Sequence, residues 1–189
     1  MNKLDWGKMF EVVCRSYVFI FLNFYGIGKI MGGQFYRKGQ LPAEVAQTTI
    51  EQASAYDLAW SFMGYSFVYI LFVGISQIIG AWLLIWNRTK ILGVMILFPI
   101  MVNIIVFDII FLDVRDALAN AIIYFLMLNY ILFFNKEKVI KAFQALTKID
   151  SNKPTEKNKN LVRIGLLGVM MLFIFGIDQF FVNLIRYYS

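Results

Sequence analysis

The sequence predicts an all-α integral membrane protein: a bundle of four transmembrane helices followed by a fifth C-terminal transmembrane helix. Three observations lead there. The 189 residues are 60% hydrophobic, above the roughly 45–50% of an ordinary soluble domain. The apolar residues gather in runs of about twenty, the length at which a helix crosses the hydrocarbon core. Lys and Arg are divided unevenly between alternate connections, as they are when one side faces the cytoplasm.

The runs are residues 12–31, 60–86, 91–112, 117–134 and 161–185. Each must be helical, because lipid offers an open backbone no hydrogen-bond partner. With the N-terminus inside, 13 of the 18 Lys and Arg lie on the inner side; Arg37, Lys38, Arg115 and Arg186 lie outside, and Lys29 falls within the first span. The C-terminus is then outside. Orientation in the lipid bilayer accounts for the net charge of +6, so nucleic acid is not expected as a partner. The N-terminal "MNKLDWGKMFEVVCR" lacks the basic start, apolar core and small-residue cleavage site of a signal peptide.

Residues 1–134 therefore read as the bundle, with an outside loop over 32–59. Pro42 suits the start of a short helix there, with Val45, Ile50, Ala53, Tyr56 and Trp60 as an apolar stripe across the outer mouth; the other reading is a solvated linker. Residues 135–160 form a basic amphipathic cytoplasmic loop. Val139, Ile140, Phe143, Leu146 and Ile149 share one face and lysines the other, which suits an anionic lipid surface. "DSNKPTEKNKN" reads as a tether, and residues 161–189 carry the fifth helix.

Chemistry is constrained by what is missing. There is no histidine and a single cysteine, Cys14. That removes the usual general base and metal ligand, any intrachain disulfide and any CxxC pair. No metal is expected, Ser66 and Ser76 lack a triad partner, and an enzyme is not favoured. Cys14 beside Arg15 reads as a small buried residue, a lipidation site or a reactive thiol.

The order and spacing of several motifs resemble the DoxX-like family of small bacterial four-helix membrane proteins, over about residues 10–134. "YGIGKI" places Gly26 and Lys29 at the family's Gly-x-x-Lys ending. Gly74, Gln77 and Gly80, then "AWLL", resemble its Gly-x-x-Glu-x-x-Gly and Leu-Leu run. "NRTKILG" resembles its Arg-bearing turn, and Pro99 and Asn103 fall where relatives carry Pro and Asn. The resemblance implies a bacterial cytoplasmic (inner) membrane and accessory roles in quinone-linked sulfur or thiol redox systems, or in assembly of larger membrane proteins. The chain departs from the pattern at Gln77, where the family's Glu would stand, and in its fifth span. A Gln cannot relay a proton.

The intramembrane polar residues are the candidate site. At about 1.5 Å rise per residue, Asp108 lies roughly 10 Å to the outer side of the third span's middle, with Lys29 at similar depth. Such groups usually face the bundle interior and pair. One reading is an outward-facing pocket for a lipid-soluble ligand, quinone or lipid: Asp108 pairs with Lys29, and Asn103, Asn120 and Gln77 complete it. Gly26, Gly74 and Gly80 let helices approach. The other reading has Lys29 snorkelling, Asp108 reaching interfacial water, and Asn103, Asn120 and Asn129 gluing helices. Asp178, Asn183 and Arg186 in the fifth span form a candidate partner or pore face. The function expected is an accessory protein with a membrane-protein partner or a homo-oligomer. The alternatives are a quinone-linked oxidoreductase subunit and an oligomeric ion-conducting or membrane-disrupting effector.

Overall fold

The computed structural model describes residues 5–112, 115–147 and 160–188, with side chains in the last segment for 164–180, 183 and 184. Among these residues every regular element is an α-helix: α1 (Trp6–Met31), α2 (Ala43–Gln47), α3 (Ala55–Gly64), α4 (Phe67–Ile85), α5 (Lys90–Phe111), α6 (Arg115–Phe134), α7 (Lys136–Thr147) and α8 (Asn160–Tyr188). Four of them, α1, α4, α5 and α6, are long and apolar enough to cross a membrane. They pack in a ring, each against two others: α1 on α4 and α6, α5 on α4 and α6.

Each helix is started by its own sequence. Asp5 caps α1, its carboxylate accepting from the Lys8 amide at 3.1 Å, which carries α1 six residues further than the expected start at 12. Gly32, at φ 91°, ends α1 in the left-handed turn that glycine adopts without strain. Ser66 caps α4, so the expected second span of 60–86 is not one helix. Residues 60–64 belong to α3, and the break follows Gly64, which sits so close to the Tyr36 carbonyl that no side chain fits. The stripe expected along 45–60 is likewise split: Pro42 precedes α2 as expected, but Ile50 is exposed and only Tyr56 and Trp60 continue on α3.

Glycines set the helix spacing as the sequence suggests. A Cβ on Gly26 would meet the Gly74 carbonyl oxygen at 3.0 Å, and a Cβ on Gly74 would meet that of Gly26 at 3.0 Å. α1 and α4 thus touch backbone to backbone. Gly80 faces Leu97, while a Cβ on Gly93, not singled out from sequence, would meet the Gly80 carbonyl oxygen at 2.8 Å. The core between the helices is Cys14, Val18, Leu22, Leu84, Leu97, Met101, Leu128 and neighbours. Cys14 is fully buried there, so it serves packing, and a surface lipidation site is excluded.

The helix α7 begins directly after α6. The Asn135 carbonyl accepts from the amides of Lys138 and Val139 at 2.9 and 3.2 Å. Its apolar residues Ile140, Phe143 and Leu146 are exposed. Residues 148–159, with Ile149 and most of the expected tether, lie outside the described residues. The chain divides after Leu146, and the second unit contains α8, whose described apolar stretch is Ile164–Phe180.

Candidate functional site

Two ends of the four-helix ring carry polar side chains, and they are built differently. Successive helices run antiparallel, so the start of α1, the end of α4, the start of α5 and the end of α6 meet at one end. There Glu11, Arg15, Lys90 and Asn135 are all buried, Glu11 to 1% exposure. Lys90 Nζ donates to Glu11 Oε1 at 2.8 Å, and Asn135 Nδ2 donates to the same oxygen at 3.2 Å. Arg15 Nε lies 3.1 Å from Glu11 Oε2, an ion pair whose angle is outside hydrogen-bond geometry. Arg15 Nη1 donates to the carbonyls of Leu84 and Ile85 and to Asn87 Oδ1. One carboxylate therefore ties all four helices together.

Sequence reading assigned Arg15 and Lys90 to orientation and missed this cluster. Two signals pointed to it: Glu11 and Arg15 are four apart, the spacing of a helical ion pair, and Glu11 shares the buried stripe of α1 with Val18 and Leu22.

At the other end lie the predicted residues. Lys29 and Asp108 are each 5% exposed, so neither snorkels to the surface. The expected ion pair between them is not formed. Lys29 Nζ donates instead to Gln77 Oε1 at 3.2 Å and lies 5.7 Å from the Tyr25 ring centre. The reason is register: with α4 starting at Phe67, Gln77 sits near the middle of its helix, one turn beyond Gly74, where α1 is in contact.

Both side chains line two neighbouring pockets, or lobes, that share lining residues. One, of about 210 Å³, lies among α1, α5 and α6 and is lined by Lys29, Gln77, Asp108, Asn120 and Tyr124. The other, of about 470 Å³, lies between α4 and α5 and is lined by Phe72, Ser76, Pro99, Asn103 and Phe107. Lys29, Asp108, Gln34, Trp60 and Ile104 line both lobes.

Segment 33–64 covers this end. Tyr56 and Trp60 stack at 4.4 Å, and Phe35 meets Trp60 edge-on at 5.5 Å. Tyr36 Oη donates to Asp57 Oδ1 at 3.3 Å. Burial and the Asp57 charge push the Tyr36 phenol above its ordinary value, so it keeps the proton it donates.

The intramembrane amides divide cleanly. Asn23 and Asn129 donate to carbonyls four residues back, Phe19 at 2.7 Å and Phe125 at 2.8 Å, and Asn23 also accepts from Trp82. These two therefore have partners within the protein. Asn103, Asn120 and the Asp108 carboxylate make no hydrogen bond to any described residue, and all three line the cavity. In α8, Asp178 and Asn183 are exposed and Gln179 donates to Asp178 at 3.4 Å; the Arg186 side chain lies outside the described residues.

No family model matches the chain, and no solved structure matches it. The chain is similar to the uncharacterized protein YwoB of Bacillus subtilis (strain 168), at 34% identity over 152 residues, covering 76% of this chain and 92% of the relative. Identity at that level over nearly the whole of the relative marks common descent: the chain belongs to the YwoB family.

Proposed function

We propose that this protein is a DoxX-like polytopic accessory protein of the bacterial cytoplasmic membrane, with its N-terminus inside, whose bundle holds a lipid-soluble ligand at Lys29 and Asp108. The observation that carries the reading is the division of the amides. A polar group in hydrocarbon without a partner is costly, and Asn103, Asn120 and the Asp108 carboxylate, which take no hydrogen bond from the described residues, all line the space around Lys29. A ligand head that bonds Asp108, Asn120 and Asn103 relieves that cost. Arg15, Arg88, Lys90, Lys136 and Lys138 gather at the Glu11 end, which supports that end as the inner one and the cavity as outward-facing. A bacterial relative supports the membrane assigned. The fifth transmembrane helix, with Asp178, Asn183 and Arg186, offers a surface to a membrane-protein partner, and the absence of histidine supports a role that is not catalytic.

The test is transfer into nanodiscs followed by mass spectrometry of everything that accompanies the protein. A stoichiometric lipid-soluble molecule, absent from the Lys29→Met/Asp108→Asn variant, is expected. An identical complement in both proteins would remove the site. A stoichiometric quinone would turn the accessory role into that of a redox subunit.

A further inference from the structure

The larger lobe of the cavity has a shape that sequence did not suggest. The α4 and α5 backbones touch at Gly80 and Gly93. Seven residues further along α4, about 10 Å at the helical rise, the same pair of helices stands apart. Val73 and Ser76 on one side and Ile100, Asn103 and Phe107 on the other line the opening. Two glycines pinch one end, and bulky Phe72 and Phe107 flank the other. Pro99 lies in this stretch of α5 and has no amide to give the Met95 carbonyl, which loosens the helix there. Phe72, Pro99 and Asn103 are exposed on the outer surface of the ring. In a bilayer that surface is lipid. Phe35, Tyr56 and Trp60 pack over the end of the bundle, whereas the larger lobe reaches the exposed side of α4 and α5.

The head position has a charge requirement. Among the described residues, Lys29 and Asp108 are the only cationic and acidic side chains on either lobe, and they cancel. An anionic head would meet the Asp108 carboxylate and a cationic head the Lys29 ammonium. An uncharged head with one acceptor for Lys29 and one donor for Asp108 suits both. The smaller lobe, about 210 Å³, exceeds the roughly 150 Å³ cavity that accommodates a benzene ring, so a compact head fits.

We propose that the α4–α5 cleft is a lateral doorway from the bilayer that holds the apolar tail of an uncharged, hydroxyl-bearing amphiphile whose head lies between Lys29 and Asp108. This rests on the ligand-binding reading above and adds the route, the tail site and the charge of the head.

The experiment uses the full chain with Trp6, Trp82 and Trp86 changed to Phe. That leaves Trp60, which is 9% exposed and lines both lobes. The protein is placed in nanodiscs and titrated with 2-bromododecan-1-ol, whose bromine quenches a nearby indole. Saturable quenching of Trp60 is expected. Ser76→Phe, which fills the cleft, raises the half-saturating concentration about tenfold or more, as overpacking of a fitted site does. Ile123→Phe, on the lipid-facing surface of α6, leaves it unchanged and controls for bulk. Saturable quenching that Asp108→Asn abolishes but Ser76→Phe leaves intact would overturn the doorway and keep the head site. Tighter binding of 2-bromododecanoate than of the alcohol would overturn the uncharged head. Quenching that rises linearly without saturation in the parent protein would overturn the proposal and the ligand-binding reading together.

Discussion

The two ends of the ring bury a similar number of polar groups and treat them in opposite ways. At the Glu11 end, a carboxylate accepts from Lys90 and Asn135 and pairs with Arg15, which in turn reaches carbonyls of α4. Every element of the ring is stitched there, and no cavity larger than the side chains is needed. At the Lys29 end, the carboxylate of Asp108 accepts nothing from the described residues, and Lys29 has one amide partner. Burial alone therefore does not tell an ion that the protein satisfies from one that it leaves open. What distinguishes them is whether the protein itself completes the hydrogen bonding. The two glycine contacts sharpen the point, because they close α1 onto α4 and α4 onto α5, while the larger lobe lies between α4 and α5 toward the Lys29 end.

Glu11→Ala should have the largest effect on stability. It leaves Arg15 and Lys90 as buried cations without a counter-ion, and loss of one member of a buried ionic set costs about 3–5 kcal/mol. Thermal unfolding in detergent reads this directly. Next comes Gly74→Leu, whose side chain meets Ile30 and the Gly26 carbonyl; overpacking of this kind costs about 1–3 kcal/mol, and a shortened lifetime in detergent reports it. Asp108→Asn should change the stability of the ligand-free protein by less than either, since no protein bond is lost, while abolishing retention of the co-purifying molecule in nanodiscs. Asn129→Leu should have a small effect on stability and none on the ligand. It removes a bond to the helix's own Phe125 carbonyl, worth roughly 0.6 kcal/mol in membranes, and ligand retention should be untouched.

Much of this contrast was legible in the sequence, but not its geometry. The long apolar runs gave four crossing-length helices because hydrocarbon thickness and helical rise leave no other solution. Asp108 keeps step with Val94, Leu97 and Met101 on the buried face of α5, as Lys29 does with Val18, Leu22 and Gly26 on α1. Their inward aim was therefore visible in the phase of the pattern. Their failure to pair was not, because phase fixes a direction and not a distance. Gln77 as the partner of Lys29 depended on where α4 begins, and the apolar residues 60–64 hid that boundary until Ser66 proved to be the cap. The Glu11 cluster was hidden for another reason. Arg15 and Lys90 fit the positive-inside pattern so well that their second role, as partners of the one acid near them, left no unexplained charge to prompt a search. The α4–α5 cleft had no sequence signal beyond Pro99, since a gap between helices depends on their crossing and not on residue type.

The most direct measurement is thermal unfolding of the wild type, Glu11→Gln and Asp108→Asn side by side, after detergent exchange has stripped bound lipid. The account predicts that Glu11→Gln lowers the midpoint sharply and that Asp108→Asn leaves it unchanged or raises it, because only the first carboxylate is bonded by the protein. A midpoint lowered as far by Asp108→Asn as by Glu11→Gln would contradict it, and would make Asp108 a structural residue with no site for a ligand around it.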